Sequence, residues 1–122
     1  MADVLDLLLS ANPLKLPEKD YRIKRLCAET GGDVVFHLRA LPYSRVAEIR
    51  QVADEDQSVH IILSGVVTPD LKNQALQEKF NAATTAELVK NMLLPGEIDD
   101  LALRIEKLSG YKSAVTEEVK KN

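Results

Sequence analysis

Two histidines, one cysteine and a few adjacent carboxylates are the residues of this 122-residue chain that could do chemistry. A metal site needs ligands at short spacings such as CxxC, HxxxH or HxxE, because one helix or turn must present them to one ion. Cys27, His37 and His60 show none of these spacings. As a nucleophile, Cys27 would need a base and an oxyanion donor beside it. His37, across a hairpin, is the candidate base, and a buried inert thiol is the commoner fate of a lone cysteine. Thr30-Gly31-Gly32-Asp33 is followed by no GK[ST] and opens no helix, so it reads as a turn and not as a phosphate cradle. The pairs Asp99-Asp100 and Glu117-Glu118 are helix neighbours, which point about 100° apart and do not share a site. No catalytic, cofactor or metal residue is assigned, and no enzyme, cofactor or small-molecule substrate is expected.

Charge and composition remove further classes. The net charge is -3, with acidic and basic residues interspersed. A nucleic-acid binder carries a basic stripe that neutralises phosphates. Here the nearest cluster is Arg22, Lys24 and Arg25, with Arg39, which reads as a solvated strand face. Hydrophobic residues make up 45% of the chain and aromatics 4%, with no Trp, so the core must be built from aliphatic side chains. A chain of this length can bury roughly two-thirds of its unfolded surface in one domain. A single Cys forms no internal disulfide and suits a reducing compartment. The apolar start lacks a basic n-region and is interrupted by Asp3 and Asp6, so it does not read as a signal peptide. No run approaches the ~20 apolar residues that span a bilayer. The expected location is cytoplasmic.

The elements that would position these residues form an α+β, mainly α-helical chain: several short amphipathic helices with one β-hairpin in the N-terminal half. A single domain over 1–122 is expected, with an apolar arm and linker over 1–17, a core over 18–111 and a polar, fraying tail over 112–122. Asp3 can cap a helix to Ser10, and Asn12-Pro13 ends it, since a residue before proline leaves the α region. Tyr21–Cys27 and Val34–Leu41 read as strands joined by a glycine turn. In the second, Val34, Phe36, Leu38 and Ala40 face one way, with Val35, His37, Arg39 and Leu41 opposite. Pro42 starts a helix to about Ala53, and Asp54-Glu55-Asp56 reads as an acidic connection. Val59–Val67 admits both strand and buried helix. A short amphipathic segment runs from Leu71 to Phe80, before a break at Asn81–Ala83. Thr84 and Glu87 have capping-box spacing, and Pro95-Gly96 stops the helix they open. A last helix runs from about Glu97 to Ser109, with Gly110 as its left-handed end.

Two apolar surfaces stand out. Val4 to Leu9, including Leu5, Leu8 and Leu9, form the arm, which is either a lid on the same domain (the commoner case) or a handle for a partner. Leu88 and Met92 on one helix, with Ile98, Leu101 and Ile105 on the next, form stripes that either grip a partner or line the domain's own core, the usual destination of such stripes.

The segment Thr85-Ala86-Glu87-Leu88-Val89, then Leu93-Leu94-Pro95-Gly96-Glu97-Ile98 and Leu108-Ser109-Gly110-Tyr111, resembles the phage tail assembly chaperones of the XkdN-like family. Gly65-Val66-Val67-Thr68-Pro69-Asp70-Leu71 is similar to that family's G-V-V-x-P-D-L segment, and Phe36–Leu41 followed by Glu48-Ile49 to its strand-then-helix entry. The likeness spans roughly Asp20 to Tyr111. It implies a cofactor-free, mainly helical protein of long-tailed phages or prophages of Gram-positive bacteria, so Val59 to Gly65 is expected to be helix. It also implies a function: binding the tape measure protein, keeping it soluble and helping to recruit tail tube subunits, then leaving before the virion is complete. The tape measure protein is thus the expected partner, with tail tube protein and further copies of the chain as additional candidates. The alternative is a small structural tail or head–tail connector component, which would remain in purified particles; a bacterial adaptor unrelated to phage is a third. Lys120-Lys121-Asn122 can be encoded by an A-rich slippery run, which would give a frameshifted longer form.

Overall fold

A computed structural model describes residues 3–120; Lys121 and Asn122, with which the slippery-run expectation is concerned, lie outside the described residues. Among the described residues, seven α-helices accompany one three-stranded antiparallel sheet of order β1-β2-β3. The elements are α1 (Val4–Ser10), β1 (Glu18–Arg22), α2 (Lys24–Thr30), β2 (Val35–Arg39), α3 (Tyr43–Ile49), α4 (Asp54–Gly65), β3 (Val66–Thr68), α5 (Gln74–Lys79), α6 (Thr85–Met92) and α7 (Pro95–Leu108). The fold class is the expected one, mixed α+β and mainly helical.

The hairpin partners and the glycine turn are present, but the first strand sits earlier and a helix takes the second half of its expected span. β1 pairs with β2 in the register Glu18↔Arg39 to Arg22↔Val35. The chain leaves the ladder after Ile23, whose N–H reaches Val34 O at 3.2 Å. Lys24 to Glu29 are mostly good helix formers, and Arg25 meets Glu29 one turn on at 3.1 Å. Gly31, at φ 74°, then ends α2 in the left-handed conformation that costs glycine least. Ile23 and Leu26 are both buried although three residues apart, which one strand face could not achieve: Ile23 sits at the end of the ladder and Leu26 on the helix.

Val59–Gly65 is helix, as expected, but α4 begins five residues earlier. Asp54, Glu55 and Asp56 are its first turn and not a connection. Carboxylates are favourable there, beside the positive end of the helix dipole. Val66–Thr68 then adds a third strand beside β2. α3 stops at Ile49, short of Ala53.

The core lies between the inner face of β2 and helices α4, α6 and α7. Phe36, Leu38, Ile62, Leu88, Val89 and Ile105 are its most enclosed side chains. Gly65 allows α4 to meet α7 closely: a Cβ at that position would lie 2.6–2.9 Å from three atoms of Ile105. The corner between α6 and α7 is made by Leu93 and Leu94, both in extended backbone. Leu94 is held extended by the proline that follows it. Pro95 and Gly96 are the first turn of α7, where proline's missing N–H costs nothing.

Candidate partner-binding surface

Five residues expected at a partner surface, Leu88, Met92, Ile98, Leu101 and Ile105, are 0–9% exposed and line the domain's own core. In this conformation no partner can reach them. Their corner is also tied from outside. Arg25 on α2 donates to Met92 O at 2.9 Å and to Glu97 Oε1 at 2.9 Å. Glu97 in turn accepts the Leu94 N–H at 2.7 Å. One guanidinium thus satisfies a carbonyl at the end of α6 and orients the carboxylate that caps α7. That contact holds the Glu97 carboxyl below the usual carboxylate range and raises the Arg25 guanidinium.

Leu5, Leu8 and Leu9 have the opposite placement. Asp3 caps α1 by accepting the Asp6 N–H at 2.9 Å. Val4, Leu5, Leu7, Leu8 and Leu9 are 60–75% exposed, and α1 buries no residue. The arm is therefore not the lid on its own domain that is the commoner arrangement. At about 100° per residue, these five positions cover an arc of roughly 200°, leaving one side to Asp6 and Ser10. Surface helices normally carry an apolar stripe about half as wide, facing a core. A lone helix of this length is also unstable in water. Such a helix needs cover.

Ala11 to Leu16 join α1 to the body without regular structure. At their end lies an apolar groove of about 440 Å³, lined by Leu14, Pro17, Leu41, Pro42, Tyr43 and Leu108 among others. Leu14 and Tyr43 are each 90% exposed. Sequence reading did not single out this groove, although Leu14 and Leu16 flanking Lys15 and an aromatic after Pro42 were its available signals. Fully burying a Leu-sized side chain contributes roughly 1.5–3 kcal/mol, so the arm alone could offer about 5–10 kcal/mol. Association itself costs some 4–15 kcal/mol. Alone, the arm is a weak grip.

His37 and Cys27 are otherwise engaged. His37 lies on the outer sheet face and contacts Glu18 through Nε2 and Asp20 through Nδ1. The register dictates this: Asp20 is directly opposite His37, and Glu18 is the diagonal neighbour on the same face. Glu18 first, then Asp20, raise the His37 pKa above its ordinary value. The two nitrogens face different carboxylates, so the three groups do not converge on one ion. Cys27 Sγ accepts the Val34 N–H at 3.2 Å and has no base against it among these contacts. Among the described residues no helix is long and apolar enough to cross a membrane.

The family of phage XkdN-like tail assembly chaperone proteins matches residues 5–121. Among solved structures, the crystal structure of the protein yqbn is similar at a TM-score of 0.70 and 18% identity, covering 92% of this chain and 100% of that one. At that identity the likeness concerns the fold alone. No curated protein matches the chain.

Proposed function

The chain belongs to the phage XkdN-like tail assembly chaperone family, and from that premise we propose that it binds the tape measure protein through the α1 arm. It keeps that protein soluble in the host cytoplasm, helps recruit tail tube subunits, and is absent from the finished particle. The observation that carries this reading is the capped helix α1, whose five apolar side chains remain 60–75% exposed. Large exposed apolar patches mark interaction sites. A tape measure chain is long and largely helical, and its apolar stripes need cover until tube protein surrounds them. Helix-on-helix contact through the arm suits that need. Weak contacts repeated along one chain also allow displacement by polymerising tube subunits.

Co-expression tests it. With the wild-type chain, the tape measure protein from the same gene cluster should move into the soluble fraction. With the variant Leu5→Asp/Leu8→Asp/Leu9→Asp it should remain in the pellet. A tape measure protein equally insoluble with and without the wild-type chain would sink the proposal.

A further inference from the structure

We infer that β1 is the docking edge for a second copy of this chain: two β1 strands pair antiparallel about a twofold axis at Asp20 and join two sheets into one. The pairing does not depend on what the α1 arm binds.

The open edge comes first. In an antiparallel ladder the N–H and C=O of one residue point to the same side, and successive residues alternate. The Ala40 N–H reaches Pro17 O at 2.9 Å and the Ile23 N–H reaches Val34 O, with an unbroken register between them. Pro17, Lys19, Tyr21 and Ile23 therefore turn their backbone groups towards β2. Glu18, Asp20 and Arg22 turn theirs away from it. β1 is the terminal strand of the sheet, and every residue of it except Tyr21 is exposed. Among the described residues no turn, loop or cap bonds the outward groups of Glu18, Asp20 and Arg22. β3, the other terminal strand, ends at Thr68 before a proline, which has no N–H to offer.

Charge then chooses the occupant. Exposed edges are normally blunted by charged side chains, which refuse an arbitrary strand. The charges of β1 refuse all but a particular one, because its two ends, Glu18 and Arg22, are opposite in sign. With the axis at Asp20, Glu18 of each copy faces Arg22 of the other on the outer sheet face, and Lys19 faces Tyr21 on the inner face. Within one chain Lys19 Nζ already lies 5.9 Å from the Tyr21 ring centre, and the pairing repeats that cation–π contact across the axis. Every outward residue meets an outward residue, and each such pair exchanges both backbone hydrogen bonds.

Other registers fail. Moving the axis to Lys19 sets Glu18 against Asp20. Moving it to Tyr21 sets Glu18 against Lys24, where the chain has already entered α2. Arg22 can change partner at little cost, since it and Asp33 are 65% and 69% exposed and such pairs contribute little. The unfavourable element is Asp20 against Asp20, although His37 Nδ1 of the same copy holds each carboxylate. An edge contact between short strands belongs to the weak, transient class of interfaces, so the dimer forms only at high concentration.

Sedimentation velocity over a wide concentration range tests the pairing. Wild type should move from monomer towards dimer as concentration rises. Glu18→Arg alone sets Arg against Arg, and Arg22→Glu alone sets Glu against Glu. Each should weaken self-association by roughly tenfold or more. An equimolar mixture of the two variants should recover it, because the reversed charges then meet across the axis; recovery also shows that both are folded. Asp20→Asn, which keeps an oxygen for His37 and removes the repulsion on the axis, should tighten the dimer. Asp20→Pro removes an outward N–H and no ladder bond, and should abolish it. A wild type that stays monomeric at every soluble concentration would overturn the inference. So would single variants that associate like wild type, or a mixture that associates no better than either alone. If wild type stays monomeric while the Glu18, Asp20 and Arg22 amides gain hydrogen-exchange protection from tape measure peptides, the edge takes an extended partner strand and the second copy falls.

Discussion

Leu5 and Leu8 are neighbours on one face of a short capped helix, and so are Leu88 and Met92. The first pair is 63% and 66% exposed, the second 0% and 6%. The two helices start in the same way: Asp3 accepts the Asp6 N–H at 2.9 Å, and Thr84 accepts the Glu87 N–H at 3.1 Å. Local chemistry does not separate them. What separates them is company. α6 lies against α4 and α7, whereas α1 is joined to the body by a linker and has no buried residue. An apolar stripe shows that a helix needs a partner without showing whether that partner belongs to the same chain.

The most forceful way to break this comparison is to truncate one leucine from each helix. Leu88→Ala should cost about 2–5 kcal/mol of unfolding free energy, the usual range for an enclosed core leucine. Leu8→Ala should stay within roughly 0.5 kcal/mol of wild type. Urea denaturation reads both, and equal losses would mean that α1 packs on the body in solution. Gly65→Ala comes next. Its added methyl would enter the space of Ile105, which is fully enclosed and cannot move aside. Overpacking of this kind costs about 1–3 kcal/mol, whereas Gly96→Ala, with open space around it and no positive φ, should stay within roughly 0.5 kcal/mol of wild type.

The caps sharpen the same contrast. Thr84→Ala should remove about 1 kcal/mol from global stability. Asp3→Ala should lower only far-ultraviolet helicity, with an unchanged urea midpoint, because α1 is outside the cooperative unit. The smallest effect concerns His37, whose surface is exposed but already supplied with partners from its own sheet. Its folded pKa lies above the ordinary 6.5, so its stabilisation is complete below 6.5 and is lost as pH rises through the folded value. Glu18 is held below 4.5, mainly by His37, and its share is lost as pH falls through that lowered value. Wild type should therefore show a slightly falling urea midpoint as pH rises above 6.5, and His37→Gln should not.

Much of this was readable in residue order. Asp3 and Thr84 marked helix starts by hydrogen-bonding power, and Gly110 marked an end, where φ is 93°. The stripe Ile98-Leu101-Ala102-Ile105 announced α7 and its buried face. The capping box was off by one residue: Glu87 Oε2 bonds the Ala83 N–H at 2.8 Å and not that of Thr84. Other features were misread because two structures share one pattern. Tyr21 to Cys27 could continue as a strand or split into strand and helix, and only pairing with Val34 decided where the ladder stopped. Asp54–Asp56 looked like a loop because acidic runs are soluble, and equally begin a helix. The Pro-Gly corner was displaced by two residues because proline opens α7 as readily as it could close α6.

The role of Arg25 was not legible at all, since Glu97 lies 72 positions away in the chain. The groove was hidden for the same reason: Leu14, Tyr43 and Leu108 share no local pattern. Sequence alone determined α1, α6 and α7, the caps at Asp3 and Thr84, and the family likeness, because these depend on neighbours within a few residues. Tertiary structure alone decided which apolar stripes were enclosed and which was left bare. Enclosure depends on distant segments meeting, and the folded body meets the α6 and α7 stripes while leaving α1 uncovered.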